Sequence, residues 1–487
     1  MTDNPHYERR WLILAVIAIA QLMVVLDATI VNIALPTAQE DLGFSNDARQ
    51  WVVTAYALAF GSLLLLGGRL GDLFGRKWAF IGGLIGFAVA SAVGGAADSF
   101  GVLVAARAAQ GVFGAVLAPS ALALLSTTFT DPAERGKAFG IFGAIAGGGA
   151  GVGLLLGGVL TEWLSWRWCL YVNLLFALPA AVAGFRLLVN MPQLNRPRID
   201  WAGTVTATTG LFALVYGFSN SEMNSWGHPV TIGMLAASVV LLAAFAVIEQ
   251  RVANPLLPLR VVADRVRGGS YAVIGIAGIA MFAVFLFLTY YLQQTKGFTP
   301  IQTGLAFLPM PATIVVTATS VNIKFLAKVG PKPLLMLGTA LGAVAMVWFA
   351  QITPTSSYAG HVLPGLVIMG LGMGNIFAPA FASATYGVEP SDSGVASAMV
   401  NTMQQVGGSI GTALLSSIFA SSLEGFLDGK GRPTPQLLGE AAVHGYTVAF
   451  WVAAGVFLFG TLVVTLIMPS IRVRSHEEPA GEPAMAH

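Results

Sequence analysis

The sequence predicts an all-α integral membrane protein, with two six-helix bundles flanking two additional transmembrane helices, fourteen spans in total. Three observations carry that prediction. Only 10% of residues are charged and 56% are hydrophobic, where a soluble domain has about a quarter charged. The apolar residues fall into runs of about 20, the length that crosses a bilayer as a helix. Finally, the first half of the chain recurs in the second at a nearly constant offset.

Taken in order, the first run, 11–35, follows the polar head Glu8-Arg9-Arg10, lacks a small-residue cleavage site and reads as a retained signal-anchor. The second, 51–70, ends at the charged loop "GRLGDLFGRK" (68–77), and the third is 79–97. The fourth, 102–128, and the fifth, 137–160, are separated by Asp131, Arg135 and the start of a glycine-rich stretch. The sixth, 168–189, leads into a linker with Arg196 and Arg198. Spans seven and eight, 201–219 and 229–249, form the additional pair, closed by the basic stretch from Arg251 to Arg267. The remaining six are 269–292, 303–326, 333–351, 361–385, 395–421 and 444–468, with 422–443 as the longest loop. The expected units are therefore 1–190, 191–268, 269–470 and a tail, 471–487.

An even number of spans puts both termini on one side. Of the 25 Lys and Arg residues, only Arg49, Arg167, Lys296, Lys430 and Arg432 fall on the opposite side, and Arg107 lies within a span. That bias makes both termini cytoplasmic in a multi-pass plasma-membrane protein. No basic run suggests nucleic acid. The single cysteine, Cys169, forms neither an intramolecular disulfide nor a cysteine metal cluster.

The repeat aligns "TDPAERGKAFGIFGAIAGGGAGVG" (130–153) with "VEPSDSGVASAMVNTMQQVGGSIG" (388–411) without a gap. "VLAPSA" (116–121) likewise faces "IFAPAF" (376–381), and "FGRK" (74–77) faces the worn copy "VGPK" (329–332). Spans 1–6 thus map onto spans 9–14. Duplicated bundles with a site between them are the architecture of alternating-access transporters.

Two charges stand inside the membrane, Asp27 in "MVVLDATIVNIALP" (23–36) and Arg107 in "LVAARAAQGVFGA" (103–115). An acid at mid-membrane costs roughly 2.5–3.5 kcal/mol on insertion scales, so its presence needs a reason. The two lie at matching depths, and an ion pair or near pair between them is geometrically allowed. A carboxylate facing a guanidinium keeps its charge, whereas a desolvated one without a partner takes up a proton. Asp27 is therefore the expected proton site, with Arg107 as its partner and Gln110 on the same helical face as Arg107. The six histidines lie in tails, loops or helix ends.

Four stretches resemble the major facilitator superfamily. The loop 68–77 matches G-x-L-x-D-x-x-G-R-K, with Gly68, Leu70, Asp72, Gly75, Arg76 and Lys77 in place. "ARAAQG" (106–111) resembles the R-x-x-Q-G motif of proton-coupled members, "LDATIVNIALP" (26–36) the first-helix motif of fourteen-helix drug:proton antiporters, and "GAGVGLLLGG" (149–158) the antiporter motif. In the last, Gly153-Leu154 stands where the family has Gly-Pro, so a proline kink is absent. The resemblance covers essentially the whole chain. It implies that Gly68, Asp72, Gly75, Arg76 and Lys77 clamp the bundles on the cytoplasmic side, near Ser393 and Gly394, and that the gate is asymmetric because Ala327 replaces the aspartate in the second copy. It also implies that Gly143, Gly147, Gly151, Gly153 and Gly157 lie where the bundles meet.

Polar amides in a membrane face protein or a water-filled cavity. Asn401, Gln404 and Gln405 share one face of span 13 and are assigned to a substrate cavity with Gln110. The aromatic candidates there are Tyr56, Phe60, Tyr290, Tyr291 and Phe381. No phosphate-binding G-x-x-x-x-G-K-[ST] loop supplies ATP drive, and no cofactor or metal is expected. The expected function is export of an amphipathic small molecule, a drug or antibiotic, in exchange for protons, by a monomer in a bacterial inner membrane. An importer of a small metabolite shares the fold, and a non-transporting membrane sensor is the rival of another class.

Overall fold

The computed structural model describes residues 8–189, 199–428, 430 and 434–470. The expected tail 471–487 and the basic residues Arg196, Arg198 and Arg432 lie outside the described residues. The first bundle comprises α1 (Arg10–Leu42), α2 (Asn46–Phe74), α3 (Arg76–Gly95), α4 (Phe100–Thr128), α5 (Pro132–Trp163) and α6 (Trp168–Leu187). The additional pair is α7 (Trp201–Met223) and α8 (Pro229–Glu249), followed by the short α9 (Leu259–Ala263). The second bundle begins with α10 (Arg265–Tyr290), which runs on through a π turn at Tyr291–Thr295. Next come α11 (Pro300–Phe307), α12 (Pro309–Val316) and α13 (Asn322–Val329), then α14 (Pro331–Phe349), α15 (Leu363–Ala384), α16 (Ser393–Leu427) and α17 (Pro435–Ile467).

Thirteen segments among the described residues are long and apolar enough to cross a membrane. The expected seventh span is helical as α7 but is not one of them, since four threonines, two serines and Asn220 dilute its apolar content. Two features of the second bundle differ from expectation. The tenth span is divided in three: Pro309 and Pro311, which cannot donate backbone hydrogen bonds and crowd the preceding turn, part α11 from α12, and a π turn at Thr317–Val321 parts α12 from α13. The loop expected at 422–443 is largely helical: α16 continues to Leu427, and α17 starts at Pro435, where the Thr434 side chain accepts from the Leu437 N–H.

The duplication is visible in the packing. In the first bundle α2 packs on α4, α3 on α4 and α6, and α1 on α5 and α6. The equivalent pairs recur in the second, with α12 on α15, α14 on α15 and α17, and α10 on α16 and α17. The halves meet where α2 and α4 touch α16, and where α5 touches α11, α12, α13 and α15. The α7–α8 hairpin leans on this seam through α7, which packs against both α2 and α16. A separate apolar cluster fills that corner, including Leu65, Leu211, Leu257 and Val395.

Short turns fix which residues face the seam at the end carrying the α2–α3 and α4–α5 connections, here called the basic end. Gly75 alone reverses the chain between α2 and α3 with φ +93°, a conformation that side-chain-bearing residues rarely adopt.

Candidate functional site

Asp27 is 0% exposed and Arg107 1%, both deep in the first bundle. Arg107 Nη1 donates to Asp27 Oδ2 at 2.6 Å and to Gln110 Oε1 at 2.8 Å, and Nε donates to the Val52 carbonyl at 3.2 Å. The Tyr56 ring lies 4.4 Å under the guanidinium, a cation–π contact from α2. The other carboxylate oxygen, Oδ1, accepts from Gln110 Nε2 at 2.9 Å and from Asn173 Nδ2 at 2.7 Å. Both amides also donate to the Ser91 hydroxyl on α3, at 2.7 and 3.3 Å. Five helices thus meet at this cluster, with α4 and α6 donating to the carboxylate itself. Its charge is satisfied in place by a cation and two amide donors, which is what a buried ion pair needs to offset its desolvation.

A second constellation lies at the basic end. Asp72 is 1% exposed; its Oδ1 accepts from the Gly394 N–H at 3.2 Å, and Arg76 Nη2 stands 3.5 Å away. The carboxylate therefore sits on the N-terminus of α16, where the helix dipole favours an anion. The expected meeting of Asp72 with the start of that helix is present. Close approach here depends on glycine: a Cβ on Gly68 would stand 2.6 Å from the Gly394 carbonyl oxygen, and one on Gly394 would stand 2.6 Å from the Asp72 carboxylate. Lys77 takes no part, because its Nζ donates to the Phe185 carbonyl of α6 at 2.9 Å. Arg69, 4% exposed, is near enough to act electrostatically on Asp72, Glu249 and Asp392. Outside the membrane segments, burial pushes the Asp392 carboxyl above the usual carboxylate range against the pull of Arg260, which contacts it at 2.7 Å.

The α5 side of the seam is closed by a residue that the sequence reading left among the loop cations. Arg135 donates to the Ser126 carbonyl at 3.1 Å and crosses to α15, donating to the Ala382 carbonyl at 3.0 Å and Thr385 Oγ1 at 2.8 Å. About two turns further along α5, Phe142 meets Phe381 edge-on with ring centroids 5.9 Å apart.

The α5 glycines divide between two faces. Gly143 and Gly147 meet Ala378 and Phe377 of α15, and Gly151 meets Pro311 of α12, all in the second bundle. Gly153 and Gly157 instead meet Thr29 and Ile30 of α1, so these two pack within the first bundle rather than between bundles. Among the cavity candidates, Gln405 approaches Gly61 of α2 across the seam, and Gln404 is half-buried beside Gly278. Phe381 belongs to the basic-end closure. Asn401 turns back on its own helix, donating to the Ser397 carbonyl at 3.0 Å. Tyr56 and Phe60 stack on each other inside the first bundle, centroids 5.5 Å apart. Tyr290 is 36% exposed, whereas Tyr291 is fully buried and its hydroxyl donates to the Thr353 and Ser356 carbonyls, tying down a loop instead of lining a cavity.

The sequence reading also missed Asn173 and Ser91. The available signal was a lone amide in the otherwise apolar sixth span, at a depth comparable to Asp27.

The same architecture is found among known proteins. The puromycin resistance protein pur8 of Streptomyces alboniger is 48% identical over 98% of this chain and 94% of its own length. The cephamycin export protein CmcT of Amycolatopsis lactamdurans is 38% identical over 93% of this chain and 91% of its own. Among solved structures, the human organic anion transporter MFSD10 shares the fold at a TM-score of 0.65 and 16% identity, over 94% of this chain and 99% of that one. The family model described as Major Facilitator Superfamily matches residues 17–412. With duplicated bundles, a glycine-framed Asp72 turn and full-length relatives above 30% identity, the chain belongs to the major facilitator superfamily.

Proposed function

We propose that the protein exports an amphipathic small molecule, of the antibiotic class, in exchange for protons by alternating access. The observation that carries the reading is the sealed Asp27–Arg107 pair. A bare structural pair is a costly way to hold helices in a membrane, and intramembrane ionisable groups mark ion and proton pathways. The full-length relatives named for puromycin resistance and cephamycin export support the direction and the cargo class.

In this reading Asp27 holds the transported proton, and Arg107 keeps it ionised until the proton arrives. In the same reading Asp72 on α16 and Arg135 on α15 are the two clasps that hold the basic end closed, a role their contacts across the seam support. Gln404 and Gln405 face the cargo. Both termini are cytoplasmic, and the protein works as a monomer in a bacterial inner membrane. Its working units are 1–190, the additional pair in 191–268, and 269–470. One proton driven across about 100 mV supplies roughly 2.3 kcal/mol, close to the roughly 2.7 kcal/mol needed for a hundredfold gradient of a neutral compound.

The test uses proteoliposomes with puromycin first in a panel of cationic and neutral amphipaths. A substrate gradient should release protons through the wild-type protein and not through folded Asp27→Asn. Equal substrate movement by both proteins ends the proton-site assignment, and net uptake with protons in the same direction makes it an importer.

A further inference from the structure

The two amides on Asp27 are not equivalent. Gln110 is fixed at both ends, since its oxygen accepts from Arg107 and its nitrogen donates to Asp27 and Ser91. Turning it over would set its nitrogen against the guanidinium. Asn173 is anchored at one end only. Its Nδ2 donates to Asp27 and Ser91, while its Oδ1, buried in the same cluster, accepts from nothing among the described residues.

The donors around Asp27 suit a carboxylate. A protonated carboxyl brings an O–H that needs an acceptor, and a buried polar group left unpaired is costly. Arg107 has only donors, and the Gln110 oxygen is already committed to it. The titratable groups facing Asp27 from the surrounding helices are Arg107 on α4, Tyr56 on α2 and Cys169 on α6. Among the described residues α3 adds the Ser91 hydroxyl, and α5 meets this part of α1 with Gly149 and Gly153. The Tyr56 hydroxyl is also buried without a partner among the described residues, but only Asn173 is already bonded to the carboxylate. The acceptor best situated for a new Asp27 O–H is thus the unused oxygen of Asn173, which a half-turn of its amide brings to where Nδ2 now stands, 2.7 Å from Oδ1.

We propose that Asn173 is an amide switch for the protonation of Asp27. With Asp27 ionised, Asn173 donates to it, as seen. With Asp27 protonated, the amide turns over, its Oδ1 accepts the Asp27 O–H, and Ser91 reverses to donate its own O–H to the same oxygen. The proton comes from water on one side and leaves to water on the other; Asn173 binds none and acts as a positioning residue. This rests on the reading of Asp27 as the proton site.

Infrared difference spectroscopy of the purified full-length protein across a pH titration tests both without any substrate. In the wild type, a protonated-carboxyl band that is absent from Asp27→Asn should grow as pH falls, together with a change in a side-chain amide band. Asn173→Leu should abolish the amide change and raise the midpoint of the carboxyl band by about one pH unit, because the ionised form loses the stronger, charge-assisted bond. Asn173→Ser, whose hydroxyl both donates and accepts, should return the midpoint toward the wild type. A wild-type carboxyl band with no accompanying amide change overturns the switch alone, and so does an unmoved midpoint in folded Asn173→Leu. Absence of any Asp27-dependent band overturns the switch and the proton-site reading together.

Discussion

At the scale of single residues, what distinguishes Asp27 is the completeness of its surroundings. Removing one member of such a buried pair strands the other, at a cost of about 3–5 kcal/mol. Arg107→Ala should therefore lower thermal stability sharply. Asp27→Asn combined with Arg107→Gln should recover much of the loss while remaining inactive in proton exchange, as thermal unfolding beside proton-flux assays would reveal. The pair was legible because two charges in apolar runs are conspicuous. Asn173 and Ser91 were not, because short polar side chains in membrane helices commonly bond their own backbone. Asn401 does so with Ser397, and Ser62 with Leu58. The residue types are alike and only the three-dimensional neighbours separate them, so sequence could nominate all of these amides and discriminate among none.

At the scale of elements, the seam is built from glycines, and which partner each one meets was the part sequence could not give. The ladder on α5 announces close packing, but a helix has several faces, and the split of Gly143, Gly147 and Gly151 from Gly149, Gly153 and Gly157 follows from the rotation of α5. The repeat equates Gly136 with Gly394, yet their settings differ. Gly394 is crowded by the Gly68 carbonyl and the Asp72 carboxylate, whereas a Cβ on Gly136 would meet nothing within 4 Å among the described residues. Gly394→Val should accordingly force α2 and α16 apart and raise reagent access to the seam from the basic end several-fold, while Gly136→Ala leaves access unchanged. Accessibility of a cysteine placed at Leu65 reads both. The prolines of the tenth span were plain in the sequence. Hydropathy alone reads through them, because a broken helix is as apolar as a straight one.

At the scale of the whole molecule, fold class and repeat were legible because lipid imposes long apolar runs and duplication leaves register. The state of the molecule was not, since closure depends on contacts between halves such as Arg135 with Ala382. The sole cysteine, Cys169, is fully buried, so engineered cysteines can be labelled with little background. Spin labels at Phe74→Cys with Lys328→Cys should separate on acidification, while labels at Asp98→Cys with Gln351→Cys, across the opposite end, draw together. In an Asp27→Asn background both distances should stop responding to pH, as double electron–electron resonance would record.

The rotation of α5 has one more consequence. A single 32-residue rod lies with Gly153 against Thr29, two positions from Asp27, and with Gly147 and Gly151 against Phe377 and Pro311 of the other half. With Leu154 in place of proline it carries no joint between those contacts. In the proposed exchange it would act as a camshaft: whatever the arrival of a proton does to α1 would turn the surface on which the far half rides, in the same stroke. Leu154→Pro would cut that shaft and let the two ends keep separate time.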